Sequence, residues 1–568
     1  MIQEKLRQLL PEVEVDPRAI SALLCGSAAA VLVLKWVGRR RIQEKMEEAR
    51  RTRDLGLERM EQVAWKFKQK NPGVQTSFIL SLPLVELAEK LKEGSLSPEI
   101  VLYTYIDKAL AVTQEVNCVT DFIQGCEEQL RDLTKRKEKG LLYGVPISIK
   151  DHIGCKGHIS TGGLVQFLGK VEEEDSVIVK VLKRQGAIPF VKTNVPQSMI
   201  NYDCSNVIFG QTLNPLNHKK SPGGSSGGEG ALIAGGGSLL GFGTDVAGSI
   251  RLPSSFCGLC GLKPTGNRLS KEGSEGLVTG ILAFPIAVMA TIGPMARDVD
   301  SLVLCMRALL CEDLFQLDPT VPPIPFNEEV YSSSKPLRIG FYDGDGYFQP
   351  SPSMKRAVQE TKQLLQRAGH TVRFVTRVPA WGLSLKLKGD IMDPNLKSQV
   401  NTYRLPVVVK RIGALLLKPV VSPSTFILFQ CSSRFVPNAV SLPLQAYRKE
   451  FIAKWRKLQL DVILCPALGP AFNAAATSYT NLYNVLNFPA GVVPVTTVTH
   501  MDEEELKDYR GHYGDLWDKR LKEVRAVGLP VAVQCVALPW QEELCLRFMK
   551  EVETLAHGTR QSPTYRDP

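Results

Sequence analysis

Residues 221–264 read SPGGSSGGEGALIAGGGSLLGFGTDVAGSIRLPSSFCGLCGLKP. Glycine costs backbone entropy in a helix or strand, so this density needs a reason: tight turns, positive φ, or close approach of backbone to a ligand. A flexible Gly/Ser linker is the plain alternative. Leu232, Ile233, Leu239, Leu240, Phe242, Val246, Ile250 and Leu252 interrupt the glycines at short intervals, which a linker would not do. Ser225 and Ser249 each follow a glycine. That setting suits an exposed nucleophile among open backbone N–H groups.

Outward from this segment the chain alternates short apolar runs with helical patterns. Residues 144–150 (GVPISIK) read as a strand ending in a charge, 176–185 as a helix, and 187–192 as the next strand. Residues 462–465, 492–496 and 529–536 are further buried-strand candidates, and 540–555 a closing helix. The alternation predicts an α/β layered sheet. Upstream, residues 44–69 read as an exposed helix and 76–111 as two amphipathic helices, with Ser97 as cap and Pro98 at the first helical position.

The 568 residues suffice for a large core. Charged residues make up 22% and hydrophobic ones 44%, a globular balance. The net charge of +11 is concentrated partly in Arg39, Arg40, Arg41 and residues 50–53. These follow an uncharged apolar stretch over 19–34, extended by Trp36 and Val37, so they suit an anionic membrane surface better than nucleic acid. No zinc-finger or RNA-binding pattern is present, and no nucleic-acid partner is expected. The stretch is short for a span. With Lys35 snorkelling and the basic flank on the cytosolic side, it reads as a single-pass anchor with the bulk of the chain in the cytosol. A cleaved signal peptide is the competing reading. The thirteen cysteines form no framework, and the Cys257/Cys260 pair lacks a second pair to complete a zinc site. The proline-rich run from Pro319 to Pro325 reads as a stiff surface connection, with an SH3-type contact as the alternative.

Lys150 ends an apolar strand, and Ser–Lys catalysis needs a lysine that burial holds neutral. Residues 223–227 also match G-x-S-x-G, the nucleophile elbow, but the preceding KKSP is a poor strand and no late histidine has a convincing acidic partner.

Residues 223–229 (GGSSGGE), 243–251 (GTDVAGSIR) and 261–265 (GLKPT) together resemble the amidase signature. The layout from about residue 44 onward further resembles the fatty acid amide hydrolases of that family. The resemblance implies an amidase signature fold, a large mixed twisted sheet surrounded by helices, with an N-terminal transmembrane helix. It implies a tail over 1–18, an anchor over 19–37, a helical segment over 38–95 and a catalytic domain over 96–568. A membrane-binding cap would lie near 404–446.

The same resemblance makes Ser249 the acyl-accepting nucleophile, Ser225 a bridging serine and Lys150 the neutral base. It places Ser225 after a cis peptide and gives the backbone N–H groups of Val246, Ala247, Gly248 and Ser249 to an oxyanion hole. Ser226 would support the loop, Asp245 and Arg251 would pair to fix it, and His152 would be a structural neighbour. Met199, Ile200 and Trp517 match positions along a substrate channel. The implied substrates are lipid amides from the bilayer, N-acylethanolamines and primary fatty amides, cleaved through an acyl-enzyme with no cofactor and no metal. A homodimer in the endoplasmic reticulum or another endomembrane is the family expectation. The segment between Trp381 and Asp390, and residues 473–477, look shortened against the family pattern. A catalytically impaired lipid-amide binder and an amidase for soluble amides therefore stand as alternatives.

Overall fold

The computed structural model describes residues 17–136, 138–274, 288–345, 349–375, 437–469, 478–511 and 525–559. Trp517, the segment from Trp381 to Asp390, residues 473–477 and all but the last part of the expected cap over 404–446 lie outside these residues.

The strands are β1 (Val119–Phe122), β2 (Pro146–Lys150), β3 (Ile188–Thr193), β4 (Ser205–Asn206), β5 (Gly210–Gln211), β6 (Leu240–Asp245), β7 (Cys260–Lys263), β8 (Thr291–Ala296), β9 (Arg338–Phe341), β10 (Thr371–Phe374), β11 (Val462–Pro466), β12 (Ala490–Thr497) and β13 (Pro530–Val536). Eleven of them form one mixed sheet in the order β1-β3-β2-β6-β8-β7-β12-β13-β11-β9-β10, while β4 and β5 make a separate antiparallel pair. β2 lies parallel to both β3 and β6, and every residue of it is buried. A doubly covered parallel strand asks for apolar residues, so the buried Ser148 and Lys150 stand out in it.

The glycine-rich stretch is two helices and two strands: irregular chain over 221–226, helix Gly227–Ala234, β6, helix Arg251–Cys257 and β7. The glycines of β6 hold open the space for what packs on it. A Cβ on Gly241 would fall 1.9 Å from Glu229 Oε2, and one on Gly243 would fall 2.7 Å from Ser226 Oγ. Glycine density here records close packing of a loop and helix on a strand.

Helix Pro98–Val116 begins as its sequence predicts. Ser97 Oγ accepts from the Glu99 N–H at 3.2 Å, and Pro98 occupies the first turn. Residues 76–111 hold three helices rather than two: Thr76–Ser81, Leu84–Glu93 and the start of Pro98–Val116. Pro83 cannot continue a helix, which separates the first two.

At the N-terminus one helix, Pro17–Lys70, runs through both the expected anchor and the expected charged helix. No helix is long and apolar enough to cross a membrane among the described residues, which omit the side chains of 17–20, 22–24 and 28. Val31, Leu32, Val33, Leu34 and Trp36 are exposed on this helix. Farther along, Arg50 donates to the Val207 and Ile208 carbonyls at 2.7 and 2.6 Å, and Arg53 donates to Asn117 Oδ1 at 2.6 Å, fastening the helix to the chain around β1 and β4.

The proline-rich stretch is packed on one side. Val321 is buried, Arg268 donates to the Ile324 carbonyl, and Pro323 and Pro325 stay exposed.

Candidate active site

Lys150 stands at the end of β2, between β3 and β6 in the sheet, and is fully buried. Its Nζ donates to Ser225 Oγ at 2.7 Å and to Thr244 Oγ1 at 2.9 Å. Burial pushes its pKa down from 10.5 to about 7, against the raising effect of Cys204, Asp245, Glu229 and Asp151. A neutral amine keeps two N–H donors and one lone pair. It can therefore hold Thr244 while accepting a proton from Ser225, which a surface lysine at neutral pH cannot do.

This sets a pH dependence. Below its pKa the lysine carries its proton and cannot accept another. Hydrolysis measured as kcat/KM should fall about tenfold per pH unit below about pH 7 and level off above it. A flat profile between pH 5 and 8 would contradict a lysine base.

Ser225 follows a cis peptide bond from Gly224, as expected. The Ser226 N–H donates to the Ser249 carbonyl at 3.1 Å, stitching the two serine segments together. Ser226 Oγ accepts from the Thr244 N–H at 3.3 Å and lies 3.4 Å from the Thr244 carbonyl, so it ties its loop to β6. Among the described residues no hydrogen bond joins Ser249 Oγ to Ser225 Oγ. Ser249 itself is only 8% exposed.

The turn that carries Ser249 is held by Asp245 and Arg251, both fully buried. The Arg251 Nε and Nη2 groups donate to Asp245 at 3.0 and 2.9 Å, and Asp245 also accepts from the backbone of Gly248 and Ile250 at 2.8 and 3.1 Å. Burial alone would raise the Asp245 carboxyl, but Arg251 and Asn484 hold it well below the usual carboxylate range. Arg251 reaches on to the Thr480 carbonyl, Gln534 Oε1 and Asn484 Oδ1 at 2.8, 2.7 and 2.5 Å.

This network corrects one expectation. The Gly248 N–H points at Asp245 rather than outward, because Gly248 takes φ +127° to close the turn. The N–H groups of Val246, Ala247 and Ser249 remain as oxyanion-hole candidates. A side chain at 248 would be strained at that φ, and its Cβ would meet Thr480 Oγ1 at 2.5 Å.

Met199 and Ile200 sit half-buried in the turn after Pro196, where Ser198 and Met199 both take positive φ. The chain just beyond them packs on the Ser225 loop, with the Asn201 carbonyl against Gly224. His152 is buried with neither ring nitrogen hydrogen-bonded, and burial, then Lys150 and Lys192, push its pKa well down. It is a neutral neighbour.

Sequence reasoning missed Thr244, Thr480, Asn484 and Gln534. Thr244 sits inside the glycine-rich motif and is findable as the hydroxyl one residue before Asp245. The other three lie more than two hundred residues from Arg251 and carry no local signal. Cys257 Sγ donates to the Pro222 carbonyl and Cys260 Sγ to Glu553, so this Cys pair is turned to separate partners.

The amidase family matches residues 100–546. Vitamin D3 hydroxylase-associated protein from Gallus gallus is 68% identical over 437 residues, covering 74% of this chain and 93% of the relative. Fatty-acid amide hydrolase 1 from Sus scrofa is 50% identical over 568 residues, covering 95% of this chain and 97% of the relative. A solved fatty acid amide hydrolase superposes with a TM-score of 0.69 at 24% identity, covering 90% of this chain and 95% of that one.

Proposed function

From the premise that this chain belongs to the amidase family and is an amide-bond hydrolase, we propose that it cleaves fatty acid amides, N-acylethanolamines and primary fatty amides, to a fatty acid and an amine or ammonia. The observation that carries the chemistry is the buried Lys150 bonded to Ser225 beside the loop of Ser249. The observation that carries the substrate class is the near full-length identity to a fatty-acid amide hydrolase.

In this reading the Ser249 hydroxyl rotates onto Ser225 as it attacks the amide carbonyl. Its proton passes to Ser225 while the Ser225 proton passes to Lys150 Nζ. The oxyanion is met by the N–H groups of Val246, Ala247 and Ser249; one such donor is typically worth about 100- to 1000-fold in rate. Collapse of the tetrahedral intermediate breaks the C–N bond, and the relay run backward protonates the leaving amine. Water then attacks the acyl-Ser249 ester with the same base, releasing the acid and restoring the serine.

The exposed row from Val31 to Leu34, with Trp36 and the Arg40 guanidinium stacked 5.7 Å over its ring, supports attachment to a bilayer. The proposed setting is an endomembrane such as the endoplasmic reticulum, with the catalytic domain toward the cytosol and two copies paired as a homodimer. The exposed Pro323 and Pro325 are what an SH3-type partner would contact.

The test uses membranes from cells expressing the full chain. A long-chain N-acylethanolamine should exceed a short-chain amide in kcat/KM by at least about 100-fold, since each buried methylene adds about 0.8 kcal/mol. The protein should also stay with the membrane through carbonate washing. Preference for the short amide would assign the chain to soluble substrates instead. Fluorophosphonate labelling without hydrolysis of either would favour the impaired lipid-amide binder.

A further inference from the structure

One buried acid beside the relay is not used by the steps above. Glu229 lies in helix Gly227–Ala234 and is fully buried. Its Oε2 accepts from Ser148 Oγ at 2.6 Å and its Oε1 accepts from Thr193 Oγ1 at 2.7 Å. Ser148 is two residues before Lys150 on β2, hence on the same face. Thr193 is the partner of Lys150 across to β3. Two neighbours of the lysine thus aim this carboxyl at its surroundings, and Gly241 on β6 leaves the room for it.

Acyl transfer through Lys150 makes an ammonium ion on a fully buried side chain. Such an ion needs a counter-charge. Three carboxyls act on Lys150. Asp245 is already paired with Arg251. Asp151 is held by the Thr161 hydroxyl and N–H at 2.9 Å and the Gly162 N–H at 2.6 Å, with Lys192 behind it. Glu229 is held by two hydroxyls, and the cation that acts on it is Lys150. The other titratable groups facing this cluster are Cys204 and His152 on the lysine side and Cys118 on the acid side. All three are buried, and burial favours their neutral forms.

We infer that Glu229 is a positioning residue of the hydrolytic relay, supplying the negative charge that answers the Lys150 ammonium formed during acyl transfer. The inference rests on the proposed role of Lys150 as base, and the burial that drives Glu229 up to about 7 keeps its charge responsive to the lysine. A carboxylate beside an ammonium raises the ammonium pKa, so removing it makes Lys150 a weaker base.

The test is Glu229→Gln, which keeps the volume; its Oε1 still accepts from one of the two hydroxyls, while its Nε2 donates to the other, reversing that bond. The acid limb of kcat/KM should move about one pH unit lower and the plateau above it should fall about tenfold. Thr193→Val, which removes one of the two bonds stabilising the charged carboxyl, should shift the limb the same way by less. If Glu229→Gln does not fold, the Thr193→Val profile decides. The pH dependence of fluorophosphonate labelling at Ser249 is the second readout and needs no lipid substrate. If wild type labels but hydrolyses no fatty amide, the substrate reading fails while the labelling profiles still judge this one. An acid limb identical to wild type in the variants, by hydrolysis and by labelling, overturns the inference even if activity is reduced, because a merely structural role lowers the plateau without moving the limb.

Discussion

Ser249→Ala should lower amide hydrolysis by at least about 10,000-fold with its melting temperature unchanged. In the proposed mechanism the variant loses the atom that forms the acyl-enzyme, and only substrate binding and the N–H groups of the loop remain to act on the carbonyl. Nothing structural depends on the hydroxyl: the Ser249 backbone carbonyl, not its side chain, takes the bond from Ser226. Lys150→Met, close in length and without a lone pair on nitrogen, should cost a similar amount because Ser225 then has nowhere to pass its proton. The two losses should not add. Residues that act as one relay fail together, so the double variant should match the worse single one. Multiplicative losses in the double variant would mean that serine and lysine work independently, and the relay would be wrong.

Arg251→Ala should be the most damaging substitution to the fold near the site. The guanidinium is fully buried and bonds Asp245, Thr480, Asn484 and Gln534 at once. Removing it leaves a buried carboxylate without its cation, a change that costs roughly 3–5 kcal/mol. The sign with pH follows from Asp245. Its folded pKa is depressed, so the pair stabilises the protein above the ordinary carboxylate value of 3.8 and that contribution is lost as pH falls through the folded value. In Arg251→Ala the orphaned carboxyl instead prefers its proton, so the deficit should grow as pH rises from about 4 toward neutrality. Arg251→Lys should not rescue, since one ammonium cannot span the four partners. Thermal melts across pH, with wild type alongside, measure this. A deficit independent of pH would assign the loss to packing alone.

Much of this architecture can be read from the chain because β2, β3, β11 and β13 are short and fully buried, β12 is buried over most of its length, and all carry branched apolar residues. The helix ends that carry Ser97 and Pro98 are equally explicit. The relay is legible for a different reason: Ser225 and Ser249 sit in motifs whose glycines are required by close packing, Gly224 against the Asn201 carbonyl and Gly243 against Ser226, and Lys150 ends a buried strand. What the chain does not reveal is the direction of individual N–H groups, which is why Gly248 differs from its expected role. Nor does it reveal partners supplied from far away, since Thr480, Asn484 and Gln534 look like ordinary polar residues until the sheet is assembled. The unbroken helix Pro17–Lys70 is hidden by its own composition, apolar at one end and charged at the other, so that one element reads as two.

The reach of Arg251 also bears on the order of synthesis. A chain leaves the ribosome N-terminus first, so Lys150, Ser225 and Ser249 all emerge well before Asn484 and Gln534. Until those residues arrive, the guanidinium that braces the nucleophile turn lacks its outer acceptors, and only Asp245 holds the turn. A product truncated before Asn484 should therefore carry the signature residues with the nucleophile turn only partly braced.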